Sequence, residues 1–121
     1  MLLMVLHEGL ANTALLYTLL VALWGFWFYL RRRYLTSQFW GALVIAALIF
    51  VVQALIGLTM VLQGRFPSRD VHYLYGVLSV ITLPAAFAFT RGRGTFREAL
   101  LYAVILLFLS GVTLRARLTA G

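Results

Sequence analysis

Cysteine is absent from this 121-residue chain, acidic residues number three, and only two prolines occur. Without cysteine there is no disulfide framework, no thiolate metal site and no thiol nucleophile. Glu8, Asp70 and Glu98 are the whole acidic complement, and they form no carboxylate pair for acid–base work. No serine–histidine–acid cluster can be drawn. Glu8 follows His7 directly, and neighbours on a helix point about 100° apart, so these two are not a relay pair. Ionisable groups are missing from the middle of every long apolar run, which leaves a proton relay without stations. Gln53 is the polar exception there, with packing as its default explanation. Charged residues make up 11% of the chain, against about a quarter in soluble domains.

Apolar residues dominate what is present: 64% of the sequence, with a mean hydropathy of +1.00. A water-soluble chain of this size has no interior large enough to hide them. All ten basic residues are arginine, and the net charge is +7. In a soluble protein such a balance raises nucleic acid as a partner. Here the arginines sit at the ends of apolar runs, as membrane anchors do, so the expected partner is the lipid bilayer and no nucleic acid.

Four spans follow, at about Gly9 to Leu30, Phe39 to Leu62, Val71 to Thr90 and Ala99 to Leu114. The first extends to Leu2 if the leading apolar run joins it, and the fourth is expected to continue past Arg115. A helix needs about 20 apolar residues to cross the hydrocarbon, and only helices satisfy the backbone of such runs in lipid. Pro84 lies inside the third span and predicts a kink. Short connections make the neighbours antiparallel. The fold class is an all-α membrane protein: a single antiparallel four-transmembrane-helix bundle, with no linker and no second domain. A cleavable signal peptide is not expected, since no basic leading region is present. The chain also reads as two repeated helix pairs, each opening on a histidine and carrying a late Gly-x-Thr, Gly57–Thr59 and Gly111–Thr113.

Six arginines flank the first and third connections (Arg31, Arg32, Arg33, Arg91, Arg93, Arg97), and four lie at the other end. The positive-inside tendency therefore predicts both termini outside, in a bacterial plasma membrane.

Two histidines stand out within this frame. His7 opens the first span and His72 the third, so alternation places both imidazoles at the outer face. Ala11 and Ala14 follow His7 at i+4 and i+7, and Gly76 and Ser79 follow His72 at the same offsets, each on the histidine's own helix face. Such strips of small side chains admit a flat macrocycle between two helices. Gly57 and Gly111 would let it approach the other two backbones, with ordinary small-residue helix packing as the alternative. Arg65, Arg69, Arg115 and Arg117 share that end and match the propionates of a haem, which arginine pairs bidentately; attraction to lipid phosphates explains them equally. The expected site is one haem b with His7 and His72 as metal ligands. By residue count the two histidines differ in depth by about 7 Å, which tilt or a longer inner end of the first helix would have to absorb.

The run Gln53-Ala-Leu-Ile-Gly57-Leu-Thr59, a short loop with Pro67, and then His72 resembles haem A synthase. The resemblance covers about the first three spans. It implies a four-helix bundle with a bis-histidine haem near the outer face, held by His72 and by His7. The chain is half the family's size, has no glutamate upstream of His7 and lacks the family's outer-loop cysteine pair. What carries over is the cytochrome b-like scaffold, not haem A synthesis. The expected function is a small haem-b-binding subunit for electron transfer or haem holding, docked on other membrane protein subunits. Two alternatives stay open: a cofactor-free structural accessory subunit, and a pigment-binding subunit using one axial histidine.

Overall fold

The computed structural model describes residues 2–64 and 71–120, apart from the side chains of residues 71, 117, 119 and 120. Four helices account for nearly all of it: α1 (Leu2–Leu30), α2 (Ser37–Leu62), α3 (Val71–Thr90) and α4 (Phe96–Ala120). Each is long and apolar enough to cross a membrane, and the chain is an antiparallel four-helix bundle of membrane-spanning type. The outer helices exceed the expected spans. α1 takes in the whole leading run from Leu2, and α4 begins at Phe96 and passes through Arg115.

The helix ends are set locally. Thr36 caps α2, its hydroxyl accepting from the Phe39 amide at 3.4 Å. Glu98 reaches back to the start of α4: the Thr95 amide and hydroxyl both donate to Glu98 Oε1, at 3.4 and 2.9 Å. α1 and α3 each close on an arginine in the left-handed region, Arg32 at φ 51° and Arg91 at φ 54°. The next residue's amide reaches back to the last turn in both, Arg33 to Phe28 and Gly92 to Phe87. Pro84 sits inside α3 without ending it, on the exposed side of the helix.

Each helix packs on its two ring neighbours, in the order α1, α2, α3, α4 and back to α1, so α1 and α3 are diagonal partners. α1 and α4 approach most closely. A Cβ added to Gly25 would stand 3.0 Å from Ala103 Cβ, which is small-residue helix packing at its limit. The two arginine-bearing loops meet at one end, where the Leu35 amide donates to the Gly94 carbonyl at 2.7 Å.

The buried core is concentrated toward that loop end. Trp24, Phe28 and Phe39 form a triangle with ring centroids 5.3 to 5.5 Å apart. Trp40 contacts Tyr102 and Phe87 edge-on, at 5.5 and 5.7 Å. Toward the opposite end the packing thins. Among the described residues α2 buries nothing beyond Phe50, and α3 buries nothing before Leu83.

Hydroxyls within the helices are satisfied by their own turns, as lipid demands. Thr18 donates to Ala14 and Thr113 to Leu109, at 2.7 and 2.8 Å. Side-chain contacts also tie helices together. Tyr17 donates to the Ala42 carbonyl at 2.8 Å, Thr90 Oγ1 meets Tyr102 Oη at 2.9 Å, and Gln53 Nε2 donates to the His7 carbonyl at 2.8 Å.

Candidate functional site

α1 explains the position of His7. Its inward stripe runs Ala11, Ala14, Thr18, Val21, Ala22, Gly25 and Phe28, all buried, at steps of three and four residues. His7 is the next member of this stripe toward the N-terminus and is half-buried. On α3, His72 stands in the first turn, also half-buried.

The two rings meet across the bundle diagonal, with centroids 6.2 Å apart and planes at 64°. The helices that carry them make no direct backbone contact, so the histidines bridge the bundle axis.

The depth difference predicted from residue counts does not keep the rings apart: His7 and His72 meet with centroids 6.2 Å from each other. α1 is the longer helix, with 29 residues against the 20 of α3.

Both other helices reach the histidines. His72 Nδ1 lies 3.1 Å from the Ala116 carbonyl in the last turns of α4. A carbonyl only accepts, so Nδ1 carries the hydrogen and the neutral ring keeps its lone pair on Nε2. From α2, Gly57 faces His7: a Cβ there would stand 3.3 Å from His7 Cε1. Gln53, one turn earlier, holds the His7 backbone. His7 Nδ1 and Gln53 Oε1 are both buried without a hydrogen-bond partner.

The small residues expected around the histidines divide. Ala11 and Ala14 are buried on the His7 stripe. Gly76 and Ser79 follow His72 and are half-buried, with Ser79 Oγ donating to the Gly76 carbonyl at 2.8 Å. Nothing lies within 4 Å of a Cβ placed on Gly76, so there is open space one turn along from His72. Gly111 departs from expectation. It is exposed, on the outward stripe of α4 with Val104, Leu107 and Leu114, while Leu109, Ser110 and Thr113 face inward. The Gly-x-Thr repeat is thus out of phase. Gly57 faces in and Thr59 out on α2, whereas Gly111 faces out and Thr113 in on α4.

Arg115 is exposed, adjacent in sequence to the Ala116 that meets His72. Arg65 and Arg69 lie outside the described residues, and of Arg117 only the helical backbone is described. Among the described residues no group of three or more His, Cys, Asp or Glu side chains exists.

Gln53 was legible in sequence only as a polar exception in the middle of an apolar span; the contact with His7 was not. Comparison with protein families, curated proteins and solved structures finds no match, so the resemblance to haem A synthase rests on the residues of this chain alone.

Proposed function

We propose that the chain is a small membrane subunit that holds one haem b between His7 and His72, for electron transfer or haem holding within a larger membrane complex. The observation that carries this reading is the ring pair itself. Metal–imidazole bonds of about 2 Å place two axial rings on one ion with centroids about 6 Å apart, and these rings are separated by 6.2 Å.

Three further features support it. The His72 Nδ1–H has a backbone carbonyl as its partner, the usual arrangement that fixes a ligating histidine's tautomer and orientation. Gly57 leaves room for the His7 ring that any side chain would fill. The bundle is least filled beside the histidines, where α2 and α3 bury no residue. A haem ring would supply the other four ligands of a six-coordinate ion held by these two imidazoles. Haem b in this place would supply a one-electron couple. The protein's own part would be to align two imidazoles, set the tautomer of His72 and exclude lipid and water.

The visible spectrum of the purified protein tests this. The reduced form is expected to show the sharp α-band of six-coordinate low-spin haem, at one haem per chain. A protein expressed with ample haem that shows no such band overturns the reading. Purification in mild detergent is expected to bring down larger membrane proteins.

A further inference from the structure

The end of the bundle opposite the histidines carries its own recognition chemistry. A cleft of about 490 Å³ opens between the last turns of α1 and the start of α2, lined by Trp24, Trp27, Arg33, Tyr34, Thr36 and Gln38. That volume suits a small polar group and a short length of chain, not a whole lipid. Its walls divide by chemistry. Two indoles form the apolar side, and one guanidinium, two hydroxyls and one amide form the polar rim.

We propose that this cleft binds the phosphodiester headgroup of an anionic phospholipid, with Arg33 on the phosphate and the acyl chain laid along α1. Three observations carry the assignment. First, no carboxylate lines the cleft. The one described acid at this end, Glu98, is held by the Thr95 amide and hydroxyl and lies 4.0 Å from Arg93. Six arginines lie on or beside the two loops at this end, so the charge here is unbalanced and complementary to an anion.

Second, the apolar wall continues away from the cleft. Trp27 is exposed, and Leu23, Leu20 and Leu16 precede it at steps of four, three and four, all exposed. That spacing is one face of a helix, a track about 16 Å long at 1.5 Å per residue. A free phosphate has no use for it, whereas an acyl chain does.

Third, the guanidinium of Arg33 sits 5.6 Å over the Trp27 ring. Aromatic faces attract quaternary ammonium groups, but this face already has its cation. A choline headgroup therefore meets a covered indole and a positive charge, while phosphatidylglycerol carries its phosphate as its only charge.

Tryptophan quenching by brominated lipids in vesicles reads the site directly, since Trp24 and Trp27 form its wall. With the full chain reconstituted, brominated phosphatidylglycerol is expected to quench at about fivefold lower mole fraction than brominated phosphatidylcholine, the weight of one arginine at a membrane surface. Arg33→Gln should remove most of that preference. Arg31→Gln should keep it, because Arg31 carries the same charge but lies outside the cleft. Gln38→Leu, which keeps all charges, should weaken it partway. Equal quenching by the two lipids overturns the proposal. So does an equal loss in Arg31→Gln and Arg33→Gln, which would mean surface potential alone. Displacement of the brominated lipid by soluble glycerophosphoglycerol or inorganic phosphate would reassign the cleft to a free phosphate.

Discussion

Gly25 of α1 and Ala103 of α4 are packed so closely that a Cβ on the glycine would stand 3.0 Å from the alanine's. Both partners are backbone or the first side-chain atom, so neither can swing away. Gly25→Val should force the two helices apart and lower stability in detergent by about 1–3 kcal/mol, the usual cost of overpacking, read as a fall in melting temperature. Gly57→Ala offers the contrast. Its new Cβ would meet His7 Cε1 at 3.3 Å, the end of a side chain that can turn. The melt should move little, while any property read from His7 should change. A Gly57→Ala variant as unstable as Gly25→Val would show that the His7 ring is fixed in place.

Removing either histidine tests the ligand pair. His7→Ala and His72→Ala should each abolish the six-coordinate low-spin band or leave five-coordinate haem. The two are not equivalent in their surroundings. His72 is anchored by the Ala116 carbonyl, whereas His7 Nδ1 has no partner. The anchored ring is the better single ligand, so more haem should remain in His7→Ala than in His72→Ala. An unchanged spectrum in His7→Ala, with one haem per chain, defeats the pairing.

The spans, their alternation and the common side of the histidines were legible because each rests on a long run of like residues or on a parity of crossings. Single residues were harder. Gly111 read as a site residue because it lies near the outer end of the fourth span, yet glycine has no side chain to declare a face. Its orientation is fixed by Leu109, Ser110 and Thr113 packing inward. The apparent depth mismatch came from counting both histidines to the loop arginines. The rings meet all the same, with centroids 6.2 Å apart, because tilt and helix length free depth from residue counts. Cross-helix ties such as Tyr17 to Ala42 join residues 25 positions apart, and no local pattern marks the partner carbonyl.

Arginine placement predicts the orientation. With six arginines at the loop end, that end should face the cytoplasm. Single cysteines at Ser37 and Gln63, both exposed and at opposite ends of α2, should label from opposite sides of intact cells, with Gln63 the one reached from outside. Labelling of the Ser37 position from outside would invert the topology and leave the histidine pair intact at the other face.

The Thr90–Tyr102 contact should be worth little by itself. Thr90 Oγ1 also lies 3.0 Å from the Ala86 carbonyl, so it keeps a partner when the phenol is lost. Tyr102→Phe should cost about 0.6 kcal/mol, the average for a side-chain hydrogen bond between membrane helices. Tyr102→Ala also empties the contact with Trp40 at 5.5 Å and should cost about 3–5 kcal/mol, as large aromatic truncations do. Equilibrium unfolding in mixed micelles separates the two. A Tyr102→Phe loss near that of the alanine variant would mean that the hydroxyl, not the ring, holds α3 to α4.

Gln53 sets stability against the site. Its Nε2 donates to the His7 carbonyl, but its Oε1 is buried without a partner. An orphaned acceptor costs about 1–3 kcal/mol, and the hydrogen bond returns about 1 kcal/mol. Gln53→Leu keeps most of the volume, gives up the bond and removes the orphan, so the bundle should melt at the same temperature or higher. The His7 carbonyl still has its place in the α1 helix, so the substitution strands no acceptor. What Gln53→Leu removes is the tie that fixes the start of α1, and with it His7, against α2. Haem retained through purification should therefore fall while the melt does not. Stability and haem content falling together would point to a plain packing role. Haem content unchanged in a stabilised variant would remove Gln53 from the site.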